Sequence, residues 1–108
     1  MRTLIITVPA TLALTPQAQA ATASFKCTAH STKVEQLICH DSELAKLDSS
    51  LASLYYVVMK STPADEQSSL KSEQRDWLAS RNACDKAANP KACLKEEYHA
   101  RIKELKDR

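Results

Sequence analysis

None of the 108 residues is glycine. Tight hairpins depend on glycine for the positive φ angles of their turns, so a sheet of short-turn strands has no ready connections in this chain. Prolines stand only at positions 9, 16, 63 and 90, which leaves long uninterrupted runs between them. Within those runs apolar residues recur every three or four positions, the spacing that lines one side of a helix. The chain reads as all-α.

The first residues follow a different logic. Arg2 is a short basic start, Leu4 to Leu14 is an apolar run without charge, and Ala18-Gln19-Ala20 is a small-x-small cleavage signal. Residues 1–20 are expected to be a secretory signal peptide, with cleavage after Ala23 as the alternative. The apolar run falls short of the roughly 20 residues that a membrane-spanning helix needs, so no membrane span is expected after cleavage. No cysteine stands at the cleavage point, so lipid attachment there is not expected. The folded domain is then 21–108. Setting Arg2 aside leaves 14 basic against 13 acidic residues. Nucleic acid partners normally call for a basic excess or stripe, so this balance argues against them.

A domain of this size buries a modest core and commonly needs a staple. Cys27, Cys39, Cys84 and Cys93 all lie in the part expected to be exported, where an oxidising compartment favours disulfides. Three connectivities are possible. Pairing Cys27 with Cys39 and Cys84 with Cys93 is favoured, since each pair flanks a short segment that must reverse direction or cap a helix. A zinc site from Cys27, His30, Cys39 and His40 has suitable ligand types, but the redox argument weighs against it.

Along the chain, Thr32-Lys33-Val34-Glu35 matches a capping box and predicts a short helix from about Lys33 to Cys39. Asp41 or Ser42 can cap the next helix, which runs to about Lys60 with Leu44, Leu47, Leu51, Leu54 and Val58 as its seam. Thr62-Pro63-Ala64-Asp65 reads as a cap, a proline at the first helical position and an acid in the first turn. It predicts a second long helix from about Ala64 to Cys84, antiparallel to the first. Asn89-Pro90 repeats the signal for a last helix to about Lys106, striped by Leu94, Tyr98, Ile102 and Leu105. The expected architecture is a bundle of three main helices plus a short leading one, stapled by two disulfides.

Gln74 to Cys84 concentrates the remaining information: Trp77 and Leu78 are expected in the core with Arg81 on the same broad face. Asp48, beside the seam residue Leu47, is placed to pair with Arg75 or Arg81. No phosphate-cradling loop, nucleophile elbow or His-Glu-x-x-His motif is present, and the three histidines are scattered. Adjacent carboxylates such as Asp65-Glu66 and Glu96-Glu97 diverge by about 100° on a helix, so no catalytic residue, cofactor or metal is expected.

The ordered set Phe25-x-Cys27, Val34-Glu35-x-Leu37-Ile38-Cys39, Leu44-x-x-Leu47-Asp48, Leu54-Tyr55, Gln74-Arg75-x-Trp77-Leu78-x-x-Arg81-x-x-Cys84 and Cys93-Leu94-x-x-x-Tyr98-x-x-Arg101-Ile102 resembles the LprI-type lysozyme inhibitor domain of bacterial envelope proteins. The resemblance runs from Phe25 to Leu105. It implies an exported helical domain, periplasmic or secreted, that binds a lysozyme; a non-catalytic envelope module that binds another protein is the alternative. Glu35, Asp48, Arg75 and Arg81 fall on its motif positions and read as a structural polar clamp. An inhibitory contact is then expected from exposed polar segments, with His30, Lys33, His40, Lys86 and Lys91 able to meet the acidic cleft of a glycosidase. No oligomeric state follows from the sequence.

Overall fold

The computed structural model describes residues 22–108 together with Thr3 and Ile5; the rest of the expected signal segment lies outside the described residues. The element order is α1 (Lys33–His40), α2 (Ser42–Ser61), α3 (Gln67–Asn82), a short 3-10 helix (Ala83–Lys86) and α4 (Pro90–Lys106). No strand occurs among the described residues. All-α architecture with a short leading helix is therefore what the chain adopts.

Side-chain caps define three of the helix starts. The Thr32 hydroxyl accepts from the Glu35 N–H at 3.2 Å while the Glu35 carboxylate accepts from the Thr32 N–H at 2.9 Å. Asp41 closes α1 and opens α2, its carboxylate accepting from the Leu44 N–H at 3.0 Å. Asn89 caps α4 through the Ala92 N–H at 3.1 Å, with Pro90 just inside the helix.

The α3 start departs from expectation. The Thr62 hydroxyl donates back to the Val58 carbonyl at 2.6 Å, so this residue terminates α2 instead of capping α3. The Gln67 amide folds over the same end and donates to the Thr62 carbonyl at 3.1 Å. Residues 63–66 form a turn, and α3 begins at Gln67 after Glu66, without a side-chain cap. At its other end the helix tightens into the 3-10 segment that carries Cys84.

The core consists of Val34, Ile38, Leu44, Ala45, Leu51, Leu70, Cys84, Leu94, Tyr98 and Leu105, all nearly inaccessible. Leu47, Leu54, Trp77 and Ile102 are half-buried against it, and Leu78 is half-buried at its edge. The seam of α2 lies along α4, and α3 packs on the other flank of α4. Lys91 at the start of α4 reaches Asp41 and Glu43 at the start of α2, so these two helices run parallel. Arg81 near the end of α3 meets Tyr98, while Glu73 near its start meets Arg108, so α3 runs antiparallel to both. Although joined by a short connection, α2 and α3 barely touch.

Disulfides join Cys27 to Cys39 and Cys84 to Cys93, across separations of 12 and 9 residues. In the chain-entropy picture, loops of this length stabilise by about 2–3 kcal/mol each. One clip ties the N-terminal lead to α1, and the other ties the 3-10 helix to the first turns of α4. Because α1 also packs on the 3-10 helix, both clips sit at the same pole of the bundle.

Candidate functional site

Where α2 and α3 diverge, a cleft of about 350 Å³ opens between them. Its walls carry Asp48, Leu51, Ala52 and Tyr55 from α2, and Gln74, Trp77, Leu78 and Arg81 from α3. Ser24 and Phe25 of the N-terminal lead and Glu35 of α1 complete it. The residues arrive at helical spacings of three and four, which brings one face of each helix to the opening.

Behind this cleft lies a polar centre. Asp48, only 4% exposed, accepts from the Tyr98 hydroxyl at 2.8 Å and from both the backbone N–H and the hydroxyl of Ser24 at 2.6 Å. Arg81, 6% exposed, donates to the Tyr98 hydroxyl at 3.4 Å and turns Nε and Nη2 onto the Asn82 side-chain oxygen at 3.1 and 2.9 Å. Asp48 and Arg81 thus meet through Tyr98, with no direct ion pair between them. Burial, followed by the bond to Asp48, pushes the Tyr98 hydroxyl well above the usual tyrosine pKa, so the bridge stays protonated. The Tyr98 ring also packs edge-on against Trp77 at 5.1 Å between centroids, and the Trp77 indole N–H donates to the Glu97 carbonyl at 3.1 Å.

The four residues named together from the sequence do not all converge. Glu35 remains in the α1 cap, where hydrogen bonds from the Thr32 backbone and side chain hold its carboxyl below the usual value of 4.5, with the Arg81 charge adding to the effect. Arg75 is exposed and makes no ion pair among the described residues. As the neighbour of Gln74 it is turned about 100° from the face that lines the cleft. In its place Arg101, 4% exposed, is the second buried arginine: Nε donates to Gln74 at 2.9 Å and Nη1 to Glu104 at 3.1 Å. Its Nη2 has no hydrogen-bond partner among the described residues. Leu94, Tyr98, Arg101 and Leu105 are spaced by four, three and four, so position 101 was marked by the core stripe itself.

The residues expected to contact a partner lie at the clipped pole. His30 stands in the turn closed by the Ser31 N–H to Thr28 carbonyl bond, and the Gln36 amide donates to that same carbonyl at 2.9 Å. Lys33 begins α1, and His40 ends it 3.1 Å from Gln36. Lys86 ends the 3-10 helix. His30, Lys33, His40 and Lys86 are all exposed. Lys91 is engaged: its ammonium lies 2.8 Å from Asp41 and 3.7 Å from Glu43. The bond to Asp41 raises the Lys91 pKa, and the same bond lowers that of Asp41.

Among the described residues no group of three or more His, Cys, Asp or Glu side chains could hold a metal ion, and the cysteines of the weighed zinc site are joined as a disulfide. No helix among the described residues is long and apolar enough to cross a membrane.

Comparison with known proteins supplies a family. No solved structure matches the chain. Lipoproteins LprI of Mycobacterium tuberculosis and Mycobacterium bovis are 33% identical over 82 residues, which is 76% of this chain and 40% of each relative. The chain therefore spans about two fifths of the length of these relatives. The model of the family described as lysozyme inhibitor LprI matches residues 25–105, a range that takes in both clips and all of the helical bundle but the last residue of α4. By that match the chain belongs to the LprI lysozyme inhibitor family.

Proposed function

We propose that this is an exported protein, periplasmic or secreted, that binds a lysozyme-type muramidase and blocks it without turning over a substrate, protecting the cell wall. The observation that carries this reading is the family match across residues 25–105. The clipped pole suits such a contact on physical grounds. Two disulfides hold its backbone, so little ordering entropy is lost on binding. Lys33 and Lys86 are exposed there and carry no ion pair among the described residues. A glycosidase cleft presents two carboxylates, against which these ammonium groups are complementary. Lys91, already tied to Asp41, contributes less than its charge suggests.

Lysis of a cell-wall suspension by several lysozyme classes, with and without the oxidised protein, tests the proposal. Dose-dependent inhibition is expected, weakened by about tenfold or more when Lys33→Glu and Lys86→Glu are combined. Full lysis by every class at large molar excess of the protein would sink it. A second reading, an envelope module that binds another protein by a helix face, draws on Tyr56 and Val57. These are 59% and 58% exposed, and Val57 borders a groove lined also by Leu54, Val58 and Leu105.

A further inference from the structure

We propose that the cleft between α2 and α3 is a saccharide site that takes a short neutral sugar, stacked on its aromatic walls and hydrogen-bonded to Gln74, Tyr55, Arg81 and Glu35. The proposal does not depend on lysozyme binding, which was assigned above to the clipped pole.

Three of the five aromatic residues of the chain, Phe25, Tyr55 and Trp77, line this one cleft, and a fourth, Tyr98, packs on Trp77. All three also pack against the hydrophobic core, and the cleft beside them remains open at about 350 Å³. That volume lies at the lower end of the roughly 300–1,000 Å³ typical of small-molecule sites.

Residues with unspent hydrogen-bonding capacity line the same space. A guanidinium has five N–H donors; Arg81 directs one each from Nε and Nη2 to a single Asn82 oxygen and one from Nη1 to Tyr98. Among the described residues two donors remain, on a side chain that is 94% buried and has no carboxylate within 4.0 Å. Gln74 accepts from Arg101 through its oxygen, while its amide nitrogen makes no hydrogen bond among the described residues. The Tyr55 hydroxyl likewise makes none. Glu35 adds an ionised acceptor at the rim.

Charge selects the ligand class. One guanidinium and two carboxylates line the cleft, so an anionic ligand would meet a negative excess. A cationic ligand would meet the positive charge of Arg81, whose guanidinium lies 5.8 Å from the Phe25 ring centre and 5.9 Å from that of Trp77. A neutral ring with alternating hydroxyl donors and acceptors and a flat apolar face engages the donors, the acceptors and the rings together. That is the chemistry of a pyranose.

Trp77 is the sole tryptophan and so reports directly on the cleft. The oxidised protein would be titrated with N-acetylglucosamine tetramer and with cellotetraose, followed by tryptophan fluorescence and calorimetry, with glutarate and choline as charged comparators. Saturable binding of at least one sugar is expected, with neither comparator binding at equal concentration. A preference for the first sugar would show acetamido recognition, and equal binding would show recognition of ring hydroxyls. Tyr55→Ala and Gln74→Glu should each weaken binding by about tenfold with little change in melting temperature. Gln74→Glu keeps an acceptor for Arg101, removes the free donor and adds a negative charge to the cleft. Failure of both sugars at about 10 mM, preferential binding of either comparator, or sugar binding indifferent to both variants would overturn the proposal.

Discussion

Tyr98 lets two buried opposite charges share one core without touching. Its hydroxyl donates to Asp48 at 2.8 Å and accepts from Arg81 at 3.4 Å, so losing it strands both ends of the bridge. Tyr98→Phe keeps the ring against Trp77 and should still cost about 1–3 kcal/mol, the usual result of leaving buried polar groups unpaired, read as a lower urea midpoint. Tyr98 also contributes to an alkaline limit. Its pKa is raised in the folded state, so its contribution is present below the unfolded value near 10 and is lost as pH rises through the folded one. Lys91, also raised by folding, acts in the same direction. Melting temperature should therefore fall beyond about pH 10, and more gently in Tyr98→Phe. At this scale the sequence was partly legible. Asp48 stood out as a carboxylate beside a seam residue and Arg81 as a cation on the Trp77 face, but a tyrosine in an apolar stripe does not announce what its hydroxyl will bind. Arg101 is legible by spacing, since it continues the stripe of Leu94, Tyr98 and Leu105, but spacing alone does not separate a buried arginine from the solvated cations that follow it on α4.

Helix ends show which sequence signals bind locally and which are open to competition. Thr32, Asp41 and Asn89 cap as their motifs predict, because each side chain reaches an amide only three residues on. Asn89→Ala should remove about 1 kcal/mol, measurable by denaturation. Thr32→Ala should behave similarly, whereas Glu35→Gln, which preserves the reciprocal bond, should be nearly neutral at pH 7. Glu35 and Asp41 both titrate below their usual values in the folded protein. Their contribution is therefore present above the unfolded carboxylate range and fades as pH falls through the lowered folded values, and an acid melting series should be flatter in Glu35→Gln. Thr62 departs from the expected cap for a physical reason. Its hydroxyl could serve the helix before it or the one after, and the Val58 carbonyl lies 2.6 Å away. A threonine between two helices has two orphan ends to choose from, and its own sequence does not rank them.

At the level of the whole molecule, helix count, order and disulfide pairing follow from apolar period and short cysteine separations. The divergence of α2 and α3 does not follow, since a short connection suggests neighbours in contact. Here α4 takes the packing surface of both and leaves the cleft between them. The two clips, distant in sequence, meet at one pole, and this gives the bundle a mechanical polarity. Cross-links at one end leave the α2–α3 turn and the last turn of α4 held by noncovalent contacts alone, including the Arg108–Glu73 pair. Thermal opening should start there and travel toward the cysteines. Amide hydrogen exchange should therefore be graded along each helix, fastest around residues 58–67 and 106–108 and slowest around 38–48 and 93–98, with the gradient flattened once the disulfides are reduced.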